Sequence, residues 1–142
     1  MPGPDAGDVL LVAATALHAG FQLVVTGLAY PAFAEVPADG WAVRHGRHTR
    51  RVTWLVVPVY GAVVVTSGLV GLVPADGPSG WQVAALVATA AALLTTALVA
   101  GPAHHRLAAG RDPGVLRRLL RADRVRCAAA CLAAVCATLA LV

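Results

Sequence analysis

The sequence predicts an all-α fold, a four-helix transmembrane bundle with both termini outside and two arginine-rich cytoplasmic loops. Three observations carry that expectation. The first is composition: the 142 residues are 58% hydrophobic and 13% charged, whereas a soluble domain is about 25% charged and about 45–50% apolar. The second is the length of the apolar runs. Val9–Tyr30, Val52–Val73 and Trp81–Gly101 approach or exceed the roughly 18–20 residues that cross a bilayer, and Val125–Val142 is a fourth run broken by Arg126. The third is charge placement. Every basic residue is arginine: Arg44, Arg47, Arg50 and Arg51 lie between spans one and two, and Arg106, Arg111, Arg117, Arg118, Arg121, Arg124 and Arg126 lie between spans three and four or at the start of four. That asymmetry puts both basic loops in the cytoplasm. The chain 1–142 then reads as a single multi-pass domain of the cell membrane in contact with lipid. Its basic balance serves topology and headgroup contact, or an anionic ligand, rather than nucleic acid.

Span one starts near Ala6 or Val9, with Asp5 or Asp8 as cap. It is too long, and too acidic at its start, for a signal peptide. Thr15, His18, Gln22, Thr26 and Tyr30 recur every three or four residues and form one polar stripe. Pro31 ends or bends the helix. After an irregular link, Trp41–Arg51 reads as a short interfacial helix with Trp41 as its lipid anchor and Trp41, His45 and His48 on one face. Span two, about 52–73, carries Pro58, which should bend it. The breaker-rich stretch 74–80 closes an outer hairpin. Span three, about 81–101, ends at Gly101-Pro102. Asp112-Pro113 then caps a helix whose first part, 113–124, is amphipathic and cytoplasmic, and whose remainder, about 125–142, is span four. Cys127, Cys131 and Cys136 all lie in that last span without a C-x-x-C spacing, so they read as small packing residues.

The chemistry-bearing residues concentrate at the cytoplasmic end. His45, His48, His104 and His105 come from the first loop and the end of span three. They read as neutral histidines hydrogen-bonded in a polar interfacial network, or His104, His45 and His48 are general acid/base groups, with Asp123 orienting a histidine or a ligand. A transition metal held by His45, His48, His104 and His105 is a weaker alternative, and neither a metal nor another cofactor is expected. Arg126 and Arg106 border an apolar span and suit a small apolar or anionic ligand, which a guanidinium fork can grip. His18, Gln22 and Tyr60 would line the far end of its cavity. Alternatively His18 is a buried tie to Thr15, Tyr60, Thr66 or Ser67. Asp123 equally reads as an ion pair with Arg50, Arg106 or Arg126. A homo-oligomer or a partner membrane protein fits so small a bundle.

Thr95-Thr-Ala-Leu-Val-Ala-Gly-Pro-Ala-His104-His-Arg-Leu107 resembles the Thr…Pro-x-Asn-x-x-Leu segment of small four-span membrane proteins related to anthrone oxygenases. In that family a Trp-x-x-x-His/Asn-x-x-Arg segment enters the last helix. Here Leu119-Leu-Arg-Ala-Asp123-Arg-Val-Arg126 supplies the arginine as Arg126, places Asp123 where His or Asn is usual, and lacks the tryptophan. His104 replaces the asparagine. Gly20, Tyr30 and Pro31 resemble the family's Gly…Tyr-Pro element. The chain is also similar to actinobacterial integral membrane proteins of this anthrone-oxygenase-like type. The resemblance implies cofactor-independent oxidation of an apolar phenolic or polycyclic substrate by oxygen. A non-catalytic accessory subunit, or a bundle that binds lipid or a small molecule, is the alternative. The enzyme should have an apolar pocket near His104 and Arg126, and the passive bundle should have none.

Overall fold

The computed structural model describes residues 5–72 and 77–142. Part of the predicted outer hairpin turn, and the first residues of the chain, lie outside them. Four helices make the bundle: α1 (Ala6–Ala34), α2 (Trp41–Leu72), α3 (Gly80–Ala108) and α4 (Pro113–Leu139). Each packs on its neighbours in chain order and α4 closes back on α1, while α2 meets α3 only lightly.

The helix starts follow local chemistry. Asp5 accepts the Asp8 N–H at 2.8 Å, and Ser79 and Gln82 form a reciprocal capping box. Gly40, at φ 82°, makes the left-handed turn before Trp41 at low steric cost. Asp112 accepts the N–H groups of Gly114 (2.7 Å) and Val115 (3.0 Å), and those bonds hold its carboxyl below the usual carboxylate range.

Three boundaries differ from the sequence expectation. Helix α1 passes Pro31 to Ala34, α3 passes Pro102 to Ala108, and the short interfacial helix is the first part of a continuous α2. The prolines are absorbed by π-helical turns at Val25–Ala29 and Thr96–Ala100. There the Tyr30 N–H bonds Val25 O and the Gly101 N–H bonds Thr96 O. The widened turn accommodates a ring that an α-helix interior excludes.

Three helices, α1, α2 and α3, are long and apolar enough to span a bilayer. The fourth predicted span is not among them: Asp123, Arg124 and Arg126 interrupt α4, and its helix ends at Leu139. The outer surface is apolar, with Leu17, Leu28, Val57, Val65, Val87 and Leu98 all more than half exposed. Such a surface suits lipid rather than water. The protein is a small helical membrane bundle.

Its interior is packed in two ways. Toward the Asp5 end, Ala85, Ala88 and Ala92 of α3 and Ala130, Ala133 and Ala137 of α4 are buried, so small residues allow the close approach that membrane helices use. At the opposite end, Phe33, Trp41, Leu107, Leu116 and Leu119 form a core of large side chains. Trp41 is therefore no lipid anchor. It is 1% exposed, its ring lies 4.6 Å from Phe33, and its indole N–H donates to Leu107 O at 2.8 Å. The apolar stripe of 113–124 covers this core, which explains how leucines on an arginine-rich helix stay dry.

Candidate functional site

A cavity of about 630 Å³ opens where α2 and α3 part, within the usual range for small-molecule sites. Its rim includes the exposed Arg50, Thr53, His105 and Ala108. Phe21, Val25, Val52, Val56 and Ala100 give it an apolar wall. Its polar lining comprises Tyr30, His45, His48, His104 and Arg126, together with Gln22, Tyr60 and Thr96.

The first group holds one connected chain of hydrogen bonds. Asp123 and Arg126 lie one turn apart on α4, and Arg126 Nη2 stands 2.7 Å from Asp123 Oδ1. The same Nη2 donates to Tyr30 Oη at 3.3 Å. Tyr30 Oη is 3.0 Å from His104 Nε2, and His104 Nδ1 is 3.4 Å from His45 Nε2. Donor chemistry sets the direction. Guanidinium only donates, so Tyr30 accepts from Arg126 and gives its own proton to a neutral His104. That leaves the His104 proton on Nδ1, facing His45. Asp123 (1% exposed) and Arg126 (6% exposed) thus form a buried pair that holds one donor at the cavity wall.

Aromatic stacking fixes the histidines. The Phe33 ring lies 4.8 Å from His48 and 5.6 Å from His45, and Trp41 stacks on His45 at 5.7 Å. His104 faces His45 at 5.6 Å and His48 at 6.3 Å, tilted by 38° and 27°. Among the described residues no group of three or more His, Cys, Asp or Glu is placed to hold a metal, and His105 sits on the exposed rim.

The structure brings together His104, His45, His48, Asp123 and Arg126, and puts Gln22 and Tyr60 in the same cavity. Arg106 is placed elsewhere: it is exposed and borders a separate crevice between α3 and α4 with Arg118 and Pro102, because it projects from another side of α3 than His104. His18 makes no hydrogen bond to Thr15, Tyr60, Thr66 or Ser67. Thr15 and Thr66 bond their own helix carbonyls, Tyr60 Oη bonds Thr96 Oγ1 at 3.1 Å, and Ser67 Oγ has no protein partner. His18 instead meets the Tyr60 ring edge-on at 4.8 Å.

Tyr30 is the site residue that sequence reasoning missed. Its signal was its place at the C-terminal end of the α1 stripe, immediately before Pro31. The proline-driven π turn sets the direction of Tyr30, and no periodic pattern encodes that turn.

No protein-family model matches the chain, and neither a curated protein nor a solved structure matches it.

Proposed function

We propose that this protein is a membrane enzyme that takes an apolar phenolic or polycyclic molecule into the cavity between α2 and α3 and removes an acidic proton from it. The carrying observation is the Arg126–Tyr30–His104 chain in the wall of a largely apolar cavity. A substrate hydroxyl or enol that inserts between Tyr30 and His104 breaks their bond, and meets two donors suited to an oxyanion, Arg126 and the released Tyr30 O–H, and a base in the released His104 Nε2. His45 receives the far side of the His104 ring and keeps its tautomer fixed. An electron-rich anion of this kind reacts with oxygen, which is the cofactor-independent oxygenase chemistry implied by the anthrone-oxygenase resemblance. In this account α4 crosses the membrane as a fourth span, both termini lie outside, and the arginine-rich segments, and with them the cavity mouth, face the cytoplasm.

The second reading is a non-catalytic binding bundle. It is favoured by one feature: Tyr30 already occupies His104 Nε2. Calorimetric titration of a hydroxylated polycycle into detergent-purified protein, followed by oxygen consumption, separates the two. Binding with uptake of oxygen that depends on His104 supports the enzyme. Binding with no turnover supports the passive bundle, and no binding refutes both.

A further inference from the structure

The α1 polar stripe is satisfied at its ends and unsatisfied in its middle. Thr15 donates to Leu11 O at 2.7 Å, and Tyr30 belongs to the chain described above. Between them, Gln22 is 0% exposed, yet neither its amide nitrogen nor its amide oxygen has a protein partner. A primary amide buried without hydrogen bonds is costly in an apolar surrounding, and most of all in a membrane bundle. Gln22 is also part of the cavity wall. It lies eight residues from Tyr30 on the same helix, about 12 Å along the axis, with the apolar Val25 of the cavity wall between them.

We infer that Gln22 is the recognition group for a second polar function on the cavity's occupant. Resting on the ligand-binding reading above, this assigns the ligand's shape and class: an elongated apolar molecule with an acidic hydroxyl at the Arg126 end and a hydroxyl or carbonyl oxygen at the other. The primary amide both donates and accepts, so it serves a hydroxyl as well as a carbonyl. Tyr60 Oη and Thr96 Oγ1 bond each other, and Thr96 Oγ1 also donates to Ala92 O at 2.9 Å. Those commitments spend the Tyr60 and Thr96 protons, whereas both the donor and the acceptor of the Gln22 amide are without a protein partner.

The test compares two probes on the full chain in detergent: a biphenyl with a hydroxyl at both para ends and the same biphenyl with only one. Wild-type protein is expected to bind the two-ended probe about tenfold more tightly, the worth of one good buried hydrogen bond. Gln22→Leu is expected to bind both probes alike, at the wild-type affinity for the one-ended probe. Without a ligand, Gln22→Leu and Gln22→Met should melt no lower than wild type, since no protein hydrogen bond is lost. Equal binding of both probes by wild type overturns the inference, as does a preference that survives in Gln22→Leu. A lower melting temperature in both variants would show Gln22 to be a structural tie and overturn it as well. If wild type binds neither probe, the ligand-binding reading fails together with the inference; if it binds both equally, that reading stands and only the role of Gln22 is lost.

Discussion

Tyr30 and His104 meet across the bundle from equivalent settings. Tyr30 Oη lies 3.0 Å from His104 Nε2, and each residue closely follows a π-helical turn that accommodates a proline, Pro31 in α1 and Pro102 in α3. Two helices have thus widened at the same depth, and the partners they present join α1, α3 and α4 through Arg126. Widened turns of this kind recur at functional sites.

The bulges should therefore matter more to the site than to the bundle. Pro102→Ala restores an N–H that can bond Leu98 O and allows α3 to tighten, which shifts His104 away from Tyr30. The variant should melt within about 1 kcal/mol of wild type, the scale of one net hydrogen bond, while ligand affinity falls at least severalfold. A large loss of stability with unchanged affinity would refute the positioning role of the bulge.

Arg126 and Asp123 should behave as a buried pair. Arg126→Met leaves the Asp123 carboxylate buried and unpaired, which costs about 3–5 kcal/mol. The double variant Arg126→Met/Asp123→Leu removes both charges and should recover most of that loss, yet still fail to bind a phenolic ligand. Denaturation of both variants, read beside a binding titration, separates the structural part of Arg126 from its part in the site.

Two tryptophans should respond in opposite ways. Trp41, 1% exposed and bonded to Leu107 O, should cost about 3–5 kcal/mol on truncation to Ala. Trp54 is 79% exposed, and Trp54→Ala should leave the melting temperature in detergent nearly unchanged. Comparable losses from the two would contradict the packing described for the large-residue core.

The Asp112 cap gives α4 an acid sensitivity. Its carboxyl is held below the usual range by the Gly114 and Val115 N–H bonds, so its contribution is present above the unfolded-state value near pH 4 and disappears as pH falls through the lower folded value. Asp112→Asn, which still caps but does not titrate, should flatten that part of the melting-temperature profile. An identical acid profile in both proteins would show that other carboxylates dominate.

Much of the architecture was legible because membrane helices announce themselves by apolar length, and two of the caps by Asp5 and Asp112. The grouping of His45, His48, His104 and Arg126 at one end of the bundle was legible because helix ends in a bundle meet. What escaped was register. Pro31 and Pro102 look like helix stops, but bulges carry both helices onward. Trp41 looks like an interface anchor, yet the leucines of α4 fold over it. Arg106 and His104 are only two residues apart on one helix, and neither composition nor charge says which of them turns inward.

The most direct test of the central claim is the absorption spectrum of a weakly acidic polycyclic phenol bound to the purified protein, at a pH where the free phenol is neutral. Donation from Arg126 and Tyr30, with His104 as base, predicts the red-shifted band of the bound anion. That band should vanish in Tyr30→Phe and His104→Gln while the bundle stays folded. A bound phenol with the spectrum of its neutral form in wild type would contradict the account.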